Sequence, residues 1–509
     1  MDERTRLRLG VLGAALFLGV LGDGLLRATP WGINLLVWVA ALAGAAVAVA
    51  WRGRLLVAGE GRWLVPVALV FAAGLAWRDS PTVVLLNLLA FLVAVSLAAL
   101  WGRRGRLRLA GVSEYVFGGI YAGTLSYAGP VPVAAREIGW QQVARGRWRS
   151  PALAATRGVF FAAPLLLIFG ALFVAADAVF QELVVDLFGF DVAEVFGHLS
   201  LMLVFAWIAS GLLWVALLAH TRENLALRRP DALSLGIVEL GTVLGLLDLL
   251  FLAFVAVQVH YFFGGAERVA TTAGLSYAEY ARRGFFELVT VTALALPILL
   301  LTHWLLRAGG RGGRRVFRVL AGTLIALLFV VMASALQRMY LYTQEYGLTE
   351  LRLYATIFMA WLAVVLVWFV LTVLRERRDS FAFGALLSGF AAVLLINAMN
   401  PDALIARVNL QRLEEGERFD AYYLTTLSAD AAPVLFDALP ELAGKRVAPE
   451  AGLTVEEAIV DRYRENEQGD WRTWNLSRSR AGYLAETYTS PGGIATKARA
   501  AQAPEVNSR

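Results

Sequence analysis

About eleven long apolar blocks limit what this chain can fold into more than any other feature. A helix needs about 20 apolar residues to cross the roughly 30 Å hydrocarbon core of a bilayer. Because lipid offers no partners to backbone N–H and C=O groups, each block is expected to be helical. The sequence therefore predicts an all-α, polytopic transmembrane bundle. The blocks are Leu9–Leu26, Trp31–Trp51, Trp63–Trp77, Pro81–Trp101, Val159–Phe180, Leu199–His220, Leu235–His260, Phe285–Leu306, Val316–Leu336, Leu353–Leu374 and Phe381–Asn397.

Composition supports a membrane protein rather than a set of soluble domains. Of the 509 residues, 59% are hydrophobic and only 17% are charged. The net charge of +6 comes from short arginine runs between apolar blocks. Such runs are topology signals of membrane proteins, so we expect the lipid bilayer as a partner and no nucleic acid.

The arginine runs also predict orientation, because cytoplasmic loops are enriched in lysine and arginine. All of them fall on one side of the membrane if the N-terminus is cytoplasmic. With an odd number of crossings, the C-terminal region is then extracytoplasmic. The runs are Arg4–Arg8, Arg52–Arg62, Arg103–Arg108, Arg222–Arg229, Arg311–Arg315 and Arg375–Arg378.

One moderately apolar segment, Val112–Val133, could alter this count. It contains Glu114, has arginine on both sides and ends at Gly129-Pro130, which would break a helix. We expect an interfacial or re-entrant cytoplasmic segment, with a membrane span as the alternative.

The composition changes after Asn397. Apolar residues at three- and four-residue spacing predict short amphipathic helices, and a region this small is expected to dock on the membrane domain. The predicted division is a four-span segment (1–110), a connector (111–158), a seven-span domain (159–398), a helical extracytoplasmic region (399–489) and a disordered tail (490–509). The predicted short helices are Pro401–Leu413, Phe419–Leu427, Ala431–Leu442 and Val455–Tyr463.

Few classes of active site are compatible with the residues present. The chain has no cysteine, and its four histidines lack metal-ligand spacing, so we expect no metal site and no cofactor. No phosphate-binding loop or nucleophile motif is found. Whether the protein is an enzyme stays open, with a non-enzymatic role favoured.

Three polar, arginine-containing segments fall on the predicted outer side, against the rule that places arginine inside. In one interpretation their charges pair with each other and dock the C-terminal region. In the other, arginine and tyrosine form a pocket for an anionic lipid or lipid-linked phosphate. The candidate residues are Glu279, Tyr280, Arg282, Arg283, Glu287, Arg338, Tyr342, Glu345, Tyr346, Arg352, Asn400, Asp402, Arg407 and Asn409.

Two further carboxylates are candidates. Asp248 lies in the middle of an apolar block, where an unpaired carboxylate is costly, and suggests ion or proton coupling in a transporter. The alternative is pairing with a polar group on a neighbouring span, or a neutral acid. Asp23, between Gly22 and Gly24, suggests an enzyme acting on a lipid-linked substrate, but it also fits an ordinary turn.

Parts of the chain resemble a bacterial membrane family of unknown function, domain of unknown function 4173, which is related to 4153. The resemblance covers Val159–Ala481 and implies a bacterial inner-membrane protein without an established activity. It therefore leaves an envelope binder, sensor component or scaffold as the main expectation. Its motifs are Ala278–Leu288, Glu345–Thr349 with Arg352, Asn400–Asp402 with Ile405–Arg407 and Asn409, Tyr423-Leu424, Leu427–Ala431, and Trp471–Arg478.

Overall fold

The computed structural model describes 17 α-helices joined by turns and short 3-10 helices, and no β-strand lies within the described residues. The prediction of an all-α polytopic bundle is confirmed. The described residues are 3–103, 105–128, 192–218, 235–273, 285–306, 311–377, 380–416, 420–447, 453–464 and 469–488, with a few isolated positions between 158 and 177.

Eleven helices form the membrane region, and ten of them are long and apolar enough to cross a bilayer, α5 being the exception in the described part of the chain. Ten of the predicted blocks correspond to these helices. The remaining block, Val159–Phe180, lies outside the described residues except at isolated positions. The helices are α1 (Glu3–Leu26), α2 (Ile33–Arg52), α3 (Leu64–Trp77), α4 (Pro81–Trp101), α5 (Val112–Ala128), α6 (Val192–Leu217), α7 (Ile237–Ala273), α8 (Phe285–Leu305), α9 (Arg311–Tyr346), α10 (Glu350–Thr372) and α11 (Phe381–Met399).

Contacts at the helix ends fix the direction in which each helix runs. Arg103 donates a hydrogen bond of 2.6 Å to the carbonyl of Leu217, which places the last turns of α4 and α6 at one end of the bundle. Arg318 of α9 and Glu376, just after α10, pair at 3.2 Å at this same arginine-rich end. The N-terminus therefore lies at the arginine-rich end and the C-terminal region at the opposite end. Which end faces the cytoplasm stays a prediction from the arginine distribution.

Helix α5 enters the bundle instead of lying flat on its surface. It packs against α4 and α6, and the indole of Trp207 donates to the carbonyl of Tyr127 at 2.7 Å. Trp207 is ten residues from Leu217, or about 15 Å along the helix axis. The helix thus reaches about half the depth of the membrane from the arginine-rich end, and the rest of the predicted connector lies outside the described residues.

Three apolar cores hold the fold together. The first joins α1–α4 to α6, around Phe71 and Leu213. Gly19 and Gly22 allow the close approach of α6, because a Cβ at either position would overlap atoms of α6. The second core contains residues of α7, α8, α9, α10 and α11. Helix α6 belongs to the first core and thus packs with the four leading helices, although it follows the boundary predicted at residue 110.

The third core belongs to the C-terminal region, here defined as residues 401–488. It is built mainly from leucine and alanine, and Leu353 of α10 contributes to it from the membrane region. The helices predicted at Pro401–Leu413 and Val455–Tyr463 are present with small shifts at their ends, and the described part of Phe419–Leu427 is helical over Ala421–Thr426. The predicted helix Ala431–Leu442 is divided into two short helices at Ala438, and the last helix was not predicted. The helices of this region are α12 (Pro401–Glu414), α13 (Ala421–Thr426), α14 (Ala432–Asp437), α15 (Leu439–Leu442), α16 (Val455–Arg464) and α17 (Leu476–Thr487).

Candidate functional site

A three-residue turn between α3 and α4 lies at the centre of the contacts between the two regions. Trp77 ends α3, and Pro81 starts α4, where its fixed φ angle and missing N–H suit the first helical position. Arg78 and Ser80 between them are buried. An exposed turn would leave these polar groups in water, so their burial follows from coverage by the C-terminal region.

Arg78 joins the turn to two distant segments. Its Nε and Nη2 donate to the carbonyl of Asn397 at 2.8 and 2.5 Å, which satisfies an acceptor in the last turn of α11. Its Nη1 lies 3.5 Å from Oδ1 of Asp430, and the guanidinium stacks 4.5 Å from the Trp77 ring centroid. A single side chain thus binds a membrane helix to the C-terminal region.

Asp430 is held from both regions. Its Oδ2 accepts hydrogen bonds from the backbone N–H groups of Asp79 at 2.9 Å and Ser80 at 2.8 Å. The hydroxyl of Ser477 lies 2.5 Å from its Oδ1. Three donors and the nearby Arg78 guanidinium compensate this buried charge, as a buried carboxylate requires.

Asp402 is the most deeply buried carboxylate of the junction, with 0% of its surface exposed. Its Oδ2 accepts from the backbone N–H of Ser428 at 3.0 Å and from the Ser428 hydroxyl. Its Oδ1 lies 3.4 Å from the Ser80 hydroxyl. Burial raises the pKa of Asp402 to about 6, and the bonds from Ser428 oppose that rise. These hydrogen bonds are to serine, whereas arginine was the partner expected for Asp402.

The first turns of α12 and α17 complete the junction. Asn400 has a left-handed backbone with φ of 53°, and its side-chain Nδ2 donates to the carbonyl of Asp430 at 3.0 Å. Asn475 donates to the carbonyls of Leu75 and Arg78 at 2.8 and 2.9 Å. Burial raises the pKa of Asp79, and the Arg478 guanidinium 3.7 Å away opposes this effect.

These residues form one continuous set of buried hydrogen bonds and ion pairs, which we call the docking network. It joins α3, α4 and α11, at the end of the bundle opposite the arginine-rich end, to the C-terminal region. Satisfied networks of this kind fix one arrangement of the chain, because each broken contact leaves a buried polar group unpaired. Its members are Arg78, Asp79, Ser80, Asn397, Asn400, Asp402, Ser428, Asp430, Asn475, Ser477 and Arg478.

The predicted arginine–tyrosine segments are divided among several places. Glu279, Tyr280, Arg282 and Arg283 lie outside the described residues. Glu287 is exposed at the start of α8. Arg338 donates at 2.8 Å to Oε1 of Gln258 on α7, eight residues before the end of α9.

Four of the candidates meet at the loop between α9 and α10. The Arg352 guanidinium lies 3.9 Å from the ring centroid of Tyr342 and 6.0 Å from that of Tyr346, and it donates to the carbonyl of Gly347. Asn409 bonds both backbone groups of Leu348, accepting at 2.9 Å and donating at 2.8 Å. The loop is therefore fixed to α12. Glu345, at the end of α9, and Arg407, on α12, are exposed.

Asp248 lies within α7 on the side that faces the second core. Only 8% of its surface is exposed. Neither carboxylate oxygen has a hydrogen-bond partner among the described residues. Of the alternatives open from the sequence, a neutral acid agrees with these contacts, and no neighbouring polar group pairs with it in the described part of the chain.

Asp23 has a partner that sequence reasoning missed. Its Oδ2 lies 2.6 Å from Nδ1 of His198. Gly19 and Gly22 make this contact possible, because they allow the first turns of α6 to pack closely against the end of α1. Asp23 is 4% exposed, while the His198 side chain is 40% exposed. Because the two residues are 175 positions apart, no local spacing indicates the pair.

Comparison with known proteins gives one match. A family model described as Domain of unknown function (DUF4153) matches residues 65–438. No curated protein and no solved structure matches the chain. The match corrects the predicted resemblance in three respects. It is to 4153 and not to 4173, and it begins within α3, so that two of the four leading spans are covered. It ends at residue 438 and not at Ala481, so that the Trp471–Arg478 motif lies outside it.

Proposed function

Because the chain belongs to the DUF4153 family, a family of unknown function, we propose its role from geometry: a non-enzymatic membrane protein that carries a fixed binding platform on the outer face. The platform is the C-terminal region together with the loop between α9 and α10. The docking network is the observation that carries the proposal. The charged side chains of the network bind one another and neighbouring backbone groups, and in this way hold the platform in place. This arrangement suits a rigid scaffold better than a reacting centre.

The binding surface that we assign to this platform is the Arg352 surface, defined as Tyr342, Tyr346, Arg352 and the Gly347 loop. Arginine forms bidentate hydrogen bonds with phosphate, and aromatic stacking holds its planar group in place. The surface lies at the outer ends of two membrane-spanning helices, where lipid headgroups are located. We therefore propose a phosphate-bearing headgroup as the ligand, from a phospholipid or from a lipid-linked phosphate.

Native mass spectrometry of the full-length protein tests this proposal. The protein is incubated with vesicles of phosphatidylglycerol or of phosphatidylcholine, or with undecaprenyl phosphate, and bound lipid is counted. We expect retention of anionic lipid by the wild type and by Arg407→Gln, whose arginine is exposed on α12, but a several-fold loss in Arg352→Gln. Equal retention by Arg352→Gln would refute the binding surface. The lipid class that is retained distinguishes the two sources.

A second candidate function, an enzyme acting on a lipid-linked substrate at the outer face, is favoured by the pair of Asp23 and His198. A buried carboxylate bonded to Nδ1 orients an imidazole and leaves Nε2 for proton transfer. Here His198 is partly exposed, and its Nε2 lies 3.9 Å from Oε1 of Glu194. We expect His198→Gln, unlike Glu194→Gln, to accumulate a lipid-linked intermediate in cells. An unchanged lipid profile in His198→Gln would remove this candidate.

A further inference from the structure

Asp248 is a buried carboxylate that the binding platform does not use. Helix α7 packs against α9, and the same side of α7 that carries Asp248 also contributes Leu244 and Val255 to the second core. The side chain is therefore buried on the face of α7 that packs against the second core, to which α9 also contributes. Both of its oxygens lack hydrogen-bond partners among the described residues.

Two contacts show which residues of α9 lie level with Asp248. A Cβ on Gly241 would lie 3.9 Å from Leu320, and the Ser334 hydroxyl donates to Gln258 at 3.0 Å. Since both helices run in the same direction, Asp248 lies between these levels, close to Leu324 and its neighbours. Leu324, Ile325 and Leu328 are all buried there.

No charged side chain is available at this level of α9. Its sequence has no charged residue between Arg318 and Arg338, and both arginines are displaced from Asp248 by at least about 9 Å along the helix axis. Arg318 pairs with Glu376, and Arg338 bonds Gln258. An ionised carboxylate without a partner is strongly disfavoured inside a membrane, whereas its protonated form is not.

We propose that Asp248 is a proton-binding site in the middle of the membrane, occupied in this packed arrangement of α7 and α9. Asp248 then differs in its chemistry from Asp23, because Asp23 has a histidine partner and Asp248 has no hydrogen-bond partner among the described residues. Release of the proton requires water to reach Asp248, and therefore separation of α7 from α9. The proton is the ligand that couples to a movement of these two helices. This goes beyond the binding platform, which needs no intramembrane titration.

Carbodiimide labelling tests the proposal on the full-length protein in liposomes. Dicyclohexylcarbodiimide reacts with protonated carboxyl groups in apolar surroundings to give a stable N-acylurea, which peptide mass spectrometry locates. We expect one such adduct at Asp248, with a yield that falls as the pH rises. It should be absent from Asp248→Asn and retained in Asp23→Asn.

Infrared spectroscopy gives a second reading that does not depend on access of the reagent. The carbonyl stretch of a protonated carboxyl group should be present in the wild type at neutral pH and lost in Asp248→Asn, which is expected to fold normally. Spectra without this difference between the two proteins would overturn the proposal. A carbodiimide adduct that persists in Asp248→Asn would overturn it as well.

Discussion

Replacing Asp402 by asparagine should stabilise the docked C-terminal region at neutral and alkaline pH. Asparagine keeps the shape of the side chain and an oxygen that accepts from Ser428, but it has no charge to bury. The pKa of Asp402 rises from 3.8 to about 6 because of burial. At about 1.4 kcal/mol per pH unit, ionisation of this carboxylate weakens docking by about 3 kcal/mol at pH 8.

The direction of the pH dependence follows from the raised pKa. Between pH 3.8 and about 6, the docked state holds a proton that the undocked state has lost, so stability falls as the pH rises through this window. The asparagine variant lacks this titration. Its advantage over the wild type should therefore be largest above pH 6 and should disappear towards pH 4.

The absence of cysteine makes a thiol assay possible. Ala481→Cys places a thiol at a position in α17 with 0% exposure, and its labelling by a maleimide reports opening of the C-terminal region. A stabilisation of about 3 kcal/mol slows labelling about 100-fold at pH 8. Comparing variants at one pH cancels the reactivity of the thiol itself.

Asp437→Asn is the matched control, because Asp437 is exposed on α14 and loses the same charge. Its labelling rate should equal that of the wild type at every pH. Faster labelling of Asp402→Asn at pH 8, or a ratio that does not change with pH, would refute the assignment of a buried, destabilising charge to Asp402.

Two further substitutions test the docking network with the same thiol. Arg78→Gln should accelerate labelling by at least 100-fold, because it leaves Asp430 buried without its counter-ion at a cost of about 3–5 kcal/mol; addition of Asp430→Asn should recover part of the loss, and two independent, additive effects would contradict the pairing. Gly32→Ala should also undock the region, since a Cβ there would overlap the carbonyl oxygen of Trp474, whereas Gly24→Ala meets no atom within 4 Å and should behave as the wild type. Equal labelling rates in the two glycine variants would exclude a close contact at Gly32.

The parts of the fold that local signals determine were predictable. The block Pro81–Trp101 coincides with α4, and the periodicity of Val455–Tyr463 predicted α16 within one residue. Apolar length and three- to four-residue spacing act within one helix, so they can be recognised without knowledge of its neighbours. The arginine distribution predicted which helix ends share one side, in agreement with the contacts of Arg103 and Arg318, whereas the side that faces the cytoplasm stays a prediction.

The docking network was not predictable in this way. Arg78 is a lone arginine in a short turn, and its sequence context with Asp79 and Ser80 indicates only a loop. The one local sign was that Arg78 stands at the opposite end from the arginine runs. Its partners Asn397 and Asp430 are more than 300 positions away, and periodicity carries no information on such pairs. Asp402 was selected for its position, but its serine partners were not foreseen.

The separation in sequence between the two sides of the docking network sets an order for assembly. Asp79 and Ser80 bond to a carboxylate about 350 positions later, and Trp77 meets Ser477 after 400 positions. During synthesis the turn between α3 and α4 is therefore made long before the residues that cover it. Until α11 and Ser428–Ser477 have been made, Arg78 has neither the Asn397 carbonyl nor the Asp430 carboxylate as an acceptor. A chain truncated before Ser428 keeps all ten described spans but lacks Asp430, the acceptor for the backbone N–H groups of Asp79 and Ser80. The turn between two of the first helices therefore depends on residues near the other end of the chain.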